Sequence, residues 1–381
     1  MYRWMKVRAL GRWLPLLAWL AMGLGMGWLA GCSGKEGKPE YKLIPVRQTD
    51  KWAYITPDGQ VAVPSQFAEA SLFTEGYALV ALTQETGRLR YGFINERGEW
   101  AIEARYVLAT SFSEGRSFVL NDDGTLWAIN PQAEQLYQLD SIQVIRTYSQ
   151  GLAAFQQNGL WGFLDKQCQV VIAPQFVDCE DFAEGLAPAA IRSEDGKRLY
   201  GYINRSGAWE IEPKFEDAMR FAEKRAAVFD GKQWGYIDPT GGYAFQEKFV
   251  DARNFSEGLA AVQAQRQGPW SYVDASGQEV VTGKFANAGP FVGGMAPVQT
   301  SNFKYGYIDT KGKILIKAEY DRAMPWVGDS PYALVMKGNK WGILHPDGTF
   351  RLPISLADVN LYHRRSFRVP GPSNPKTRRD S

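Results

Sequence analysis

From residue 43 onward, apolar and polar positions follow one recurring scheme. An aromatic residue, a small residue and an aromatic or aliphatic pair come first, as in Trp234-Gly235-Tyr236-Ile237. Such residues favour a pleated, half-buried surface, so this stretch is predicted as a strand, A. The small residue marks close approach by a neighbouring backbone or ring. Asp or Asn then stands three residues before Gly, as at Asn204 and Gly207 or Asp274 and Gly277. That spacing suits a short hairpin loop. A second apolar run, strand B, follows, as in Val170-Val171-Ile172 and Ile314-Leu315-Ile316. The period then changes to three, in Phe215, Ala218, Phe221 and in Phe249, Ala252, Phe255. Steps of three put side chains on one face of a single helical turn, and a short 3₁₀ or α turn pinned by two rings is expected there. Glu-Gly (Glu184-Gly185, Glu257-Gly258) breaks the turn, and strand C follows, as in Leu259-Ala260-Ala261-Val262.

The scheme recurs nine times. Its lead aromatics are Trp52, Tyr91, Trp127, Trp161, Tyr200, Trp234, Trp270, Tyr305 and Trp341, at intervals of 34 to 39 residues. A near-constant period in this range marks a repeat architecture. The run Tyr-Gly-Tyr-Ile-Asp, then a strand, then Phe-x-x-Ala-x-x-Phe-x-Glu-Gly-Leu-Ala resembles the bacterial WG-repeat family, also called KWG repeats. The resemblance spans residues 43 to 353. It implies a repeat module of cell-envelope or secreted proteins, without a shared enzymatic activity and with no family active site to transfer. Two units depart from the pattern. The one at Trp127 reads Ile142-Ile145-Tyr148 where others have aromatic and alanine, and the one at Trp270 has Ser271 for glycine.

The predicted fold is all-β, a tandem array of nine three-stranded meanders. An open superhelical array is favoured, because a propeller blade usually has four strands in about 40–45 residues and nine blades is a large count. Lys42 to Arg47 and Pro353 to Tyr362 would then cap the two ends. The alternative is a closed, propeller-like ring, with Leu43 to Val46 paired to the strands after Trp341.

Outside the array the composition changes. Residues 1–31 have the anatomy of a secretory signal: Arg3, Lys6, Arg8 and Arg12, an apolar run from Leu14 to Leu29, then Leu29-Ala30-Gly31-Cys32. The last four resemble a bacterial lipobox, which implies acylation of Cys32 and a membrane-lipid anchor. Residues 32–41 read as a flexible tether. Ser33 after the cysteine implies, by resemblance to the enteric sorting rule, the outer membrane. Residues 42–353 are the array, and 354–381 a C-terminal cap segment and a basic tail. Arg364, Arg365, Arg368, Lys376, Arg378 and Arg379 stand there against one acid, Asp380, a disorder-like composition. The net charge of +2 falls to about −2 without the four signal cations and about −7 without the tail, which argues against a nucleic-acid partner.

Candidate chemistry is sparse. The repeated acids (Glu75, Glu114, Glu184 and Glu257; Asp165, Asp238, Asp274 and Asp309) recur unit by unit, as structural residues do. The only histidines are His345 and His363, so no Ser/His/Asp set forms within the body, and no metal or cofactor motif is recognisable. Cys168 and Cys179 lie eleven residues apart; a disulfide and two free, partly buried thiols are both open. The lead aromatics read as core. Trp100 and Trp209 occupy strand B positions that hold other residues elsewhere, which makes them the ligand-surface candidates. The expected function is a non-catalytic interaction scaffold on a lipid anchor in the cell envelope, for a protein or glycan. The alternative is a cell-wall or polysaccharide hydrolase, with Glu210 and Glu212 beside Trp209 as its nearest acids.

Overall fold

The computed structural model describes residues 43–326 and 332–370. They form nine small antiparallel sheets, with no helix among the described residues. Consecutive sheets are blades of a closed nine-bladed β-propeller. Blades 2 to 9 begin at residues 69, 108, 144, 178, 217, 251, 287 and 322. Blade 5 is representative: a two-residue inner strand (Asp178–Cys179), then Ala187–Arg192, Arg198–Ile203 and an outer strand Trp209–Phe215. The last three are strands C, A and B.

Two expectations are overturned. The step-of-three segment is not a helical turn. It is a short fourth strand with an extended lead-out, and the ring residue ending it anchors its side chain between blades: Phe221 of blade 6 meets Tyr202 of blade 5 edge-on at 4.9 Å. The unit therefore has the four strands a propeller blade needs. The array is also closed, as in the alternative reading, and not the open array that was favoured. Asp358–Val359 pairs with Val46 and Arg47, so the C-terminal chain supplies the inner strand of blade 1. The segments expected as end caps are the two sides of this joint. Across it, Ile44, Val46 and Ile55 of blade 1 pack with Leu334, Trp341 and Ile343 of blade 9. Arg351 of blade 9 meets Asp58 of blade 1 at 2.5 Å.

A three- or four-stranded sheet cannot bury two faces alone, and here each core lies between neighbours. Tyr202, Ile211 and Phe215 of blade 5 share one cluster with Phe221, Val228 and Ile237 of blade 6. The ring after the small residue is the deepest in the unit: Tyr54, Tyr202, Tyr236, Tyr272 and Tyr307 are fully buried. Each donates its hydroxyl to a carbonyl seventeen residues on, in the inner segment of the next blade, for example Tyr202 to Met219 at 2.7 Å and Tyr272 to Gly289 at 2.6 Å. Burial pushes the phenols of Tyr54, Tyr202 and Tyr307 well above their ordinary pKa, so they remain donors.

The small residue after the lead aromatic is required by sheet geometry. Outer strands bulge over it: the register slips between Tyr200 and Tyr202. A Cβ on Gly201 would lie 2.3 Å from the Ile211 carbonyl oxygen and 2.8 Å from Pro213 N. Ser271 is tolerated because blade 7 carries Gly283 in its outer strand, where blade 5 has Pro213.

Gly201→Ala is therefore expected to destabilise by roughly 1–3 kcal/mol, as overpacking does, whereas Ser271→Ala should be nearly neutral. Trp234, 1% exposed, should cost roughly 3–5 kcal/mol on truncation to Ala. Urea midpoints for the three variants check the set, and an unchanged midpoint for Trp234→Ala would refute the packing account.

Candidate functional site

Inner strands face the propeller axis, and in four blades that surface is occupied by the chain's own C-terminal segment. After pairing with blade 1, it runs along the inner edges of blades 2 and 3 and turns down blade 4. Its grip is mostly backbone. The amides of Leu72, Ser111 and Thr147, at the same position in blades 2, 3 and 4, donate to the carbonyls of Tyr362, Arg364 and Arg365 at 3.1, 2.8 and 2.7 Å. Ser366–Arg368 then adds a fifth strand to blade 4, antiparallel to Val144–Arg146. Phe367 is buried there beside Ile145, Tyr148 and Phe118. Val369 N closes the path on Gln143 O at 2.8 Å.

Side chains fix the register. Asn360 Nδ2 donates to Ala70 O at 2.6 Å. The Arg364 guanidinium lies 4.6 Å from the Tyr91 ring centroid and 3.9 Å from Glu69, whose carboxylate also accepts from the Tyr91 hydroxyl at 2.9 Å. Between them sits His363. Burial, and then the neighbouring Arg365 charge, bring its pKa down from 6.5 to about 4.

Blades 5, 6 and 7 present the same inner edge without the strap. The position that donates in blades 2 to 4 is held there by Asp181, Arg220 and Asn254. Arg146 of blade 4 stacks 4.3 Å from the Trp161 ring and reaches Cys179 O at 3.0 Å, with Asp181 at 3.6 Å. Burial pushes the Glu180 carboxyl up, and Arg146 and Arg220 oppose that shift.

The model of the WG containing repeat matches eight segments: 52–82, 91–124, 140–161, 161–192, 200–232, 234–264, 270–302 and 305–341. Together they cover well over half of the chain. The chain belongs to the WG-repeat family. No curated protein matches its sequence. Among solved structures it is similar to a eukaryotic initiation factor, at 11% identity and a TM-score of 0.58 over 88% of this chain and 100% of that one. BamB from Moraxella catarrhalis matches at 10% identity over 81% and 95%, with a TM-score of 0.36. The first likeness is one of fold, and the second carries no weight.

The WG repeat's acids are engaged with the next unit. Glu184 and Gly185 both have positive φ, 52° and 85°, which makes a tight I′-like turn. The Glu184 carboxylate then accepts from the amides of Glu223 and Lys224, the same turn of blade 6, at 2.7 and 2.8 Å. Glu75 and Glu257 do likewise to Glu114-Gly115 and Gly293-Gly294. Successive amides of such a turn form an anion nest, here filled by a neighbour's side chain. The turn aspartates cap their own loops, as Asp274 does with Ser276 N and Gln278 N at 2.8 and 3.1 Å.

The other sequence candidates are dispersed. Trp100 and Trp209 sit half-buried on outer strands, each edge-on to a phenylalanine of the preceding blade (Phe67 at 6.0 Å, Phe176 at 5.5 Å). Glu210 and Glu212 beside Trp209 are exposed. Cys168 and Cys179 are free and lie in different core clusters, so no disulfide joins them. Burial pushes both thiols up. Cys32 lies outside the described residues. Sequence reading missed the strap, since the arginine-rich C-terminal tail has a disorder-like composition. A signal was present: Leu356, Asp358-Val359 and Tyr362 repeat the spacing of Phe215, Asp217-Ala218 and Phe221.

His363 yields a pH prediction. Its folded pKa is depressed, so the unfolded chain binds the extra proton first. The stability it confers is complete above about pH 6.5 and is lost as pH falls towards 4. Urea unfolding of wild type and His363→Gln between pH 7 and 4 should show a shallower decline in the variant; equal slopes would contradict this.

Proposed function

We propose that this WG-repeat protein is a cell-envelope lipoprotein, anchored through acylated Cys32 in the outer membrane, whose propeller is a non-catalytic scaffold for a protein partner. The anchor rests on the signal anatomy ending in Leu29-Ala30-Gly31-Cys32. Peptide recognition rests on one observation: the inner edges of blades 1 to 4 hold an extended polypeptide mainly through backbone groups. An edge built this way suits strand-like peptides, with backbone bonds giving affinity and side chains specificity. Leu43 enters blade 1 at the start of its second strand, on the face that carries the Glu-Gly turns.

Two measurements test the proposal. A radiolabelled fatty acid should mark the wild-type chain and not Cys32→Ala; equal labelling removes the anchor. The unlipidated ring, residues 41–370, should retain from an envelope extract material that protease treatment abolishes and muramidase treatment spares. The reverse sensitivity would replace the protein partner by a glycan.

A further inference from the structure

The strap fills only part of a repeated set of donors. In blades 2, 3 and 4 the amides of Leu72, Ser111 and Thr147 are taken by strap carbonyls. The equivalent amides of blades 5, 6 and 7 belong to Asp181, Arg220 and Asn254, and no acceptor for them is found among the described residues. Blades 8 and 9 carry Pro290 and Pro325 at this position, which have no amide proton. The open arc is thus limited to three blades. The side chains of two of these residues carry enclosed acceptors: Asn254 Oδ1 has no hydrogen-bond partner, and Asp181 Oδ1 has only the Arg146 guanidinium, at 3.6 Å. Leaving an acceptor such as Asn254 Oδ1 without a donor is costly. A simple anion would suit the amides but not these acceptors. An extended peptide offers carbonyls to the first and N–H groups to the second.

We propose that the arc of blades 5 to 7 is a peptide-binding site whose resident occupant is this chain's own C-terminal segment, residues 373–381. The strap ends on blade 4, the neighbour of blade 5, at Gln143, four residues along the chain from Thr147. Pro370-Gly371-Pro372 follows at once, and such dipeptides mark turns. Nine residues remain, with a reach of about 30 Å when extended. The strap needs only residues 362 to 365 to serve three blades, so this length is ample. The charges match in order. Going around the ring, the arc carries Asp181, which Arg146 already faces at 3.6 Å, and then Arg220, which has no ion pair among the described residues. The segment presents Arg378-Arg379 and then Asp380. Tethering makes the docking intramolecular, so weak contacts suffice to hold it. A partner using this edge would have to displace the segment.

The purified unlipidated chain, residues 33–381, is compared with the same chain ending at Pro370, with no partner added; this inference can therefore fail without touching the scaffold reading. Residue-resolved amide hydrogen exchange is the readout. Removing residues 371–381 should speed exchange at Asp181, Arg220 and Asn254 by about tenfold or more and leave Leu72, Ser111 and Thr147 unchanged. The full-length double substitution Arg378→Glu and Arg379→Glu should reproduce part of that loss. A synthetic peptide of residues 371–381, added to the shortened chain, should restore protection saturably. Equal exchange at the three arc amides in both chains, fast or slow, would overturn the assignment.

Discussion

The ring depends on one strand pairing at its joint, with Val46 opposite Val359 and Arg47 opposite Asp358. Every blade in this protein buries its faces against neighbours, so every blade needs one on each side. Within the chain that neighbour is supplied by connectivity. Between blades 9 and 1 it is supplied only by the return of the C-terminus. Without that pairing, the apolar faces of Ile44, Val46 and Ile55 on one side and Leu334 and Ile343 on the other would be left to water. Burial at about 25 cal/mol per Å² makes such exposure expensive.

Polar bonds set the geometry that burial alone leaves loose. The buried tyrosine hydroxyl reaches the next blade's inner segment, and the turn glutamate, where present, reaches the next turn's amides. Blades 2 and 4 carry Phe93 and Phe163 at the tyrosine position and rely on packing, so the hydroxyl is a reinforcement and not a requirement. Blade 4 has Gln150 where glutamate is usual, and its side-chain oxygen still accepts from Gly185 N at 2.9 Å. What repeats is the contact more than the residue.

This explains what was legible in the sequence. Strands A, B and C, their turns and the buried rings follow from local residue types, as in Trp234-Gly235-Tyr236-Ile237 and Asp238 to Gly241. The inner strand was misread because Phe215, Ala218 and Phe221 at steps of three fit a helical turn equally well; pairing with the following strand decides otherwise, and pairing is not local. Closure could be stated only as the alternative to an open array, for the same reason. Val359 finds Val46 across more than three hundred residues, and no local propensity reports that. The strap was hidden by its arginines, which read as a solvated tail although Arg364 lies against Tyr91 and Phe367 is buried. Trp100 and Trp209 stood out as unusual in strand B, yet each packs on a phenylalanine of the preceding blade.

Closure by the C-terminal strand is the central claim, and small-angle X-ray scattering on residues 41–370 tests it most directly. A closed ring should give a disc-like distance distribution and a radius of gyration of about 20 Å, the value for a compact chain of this length. A rod-like distribution, with a radius of gyration half as large again, would contradict it.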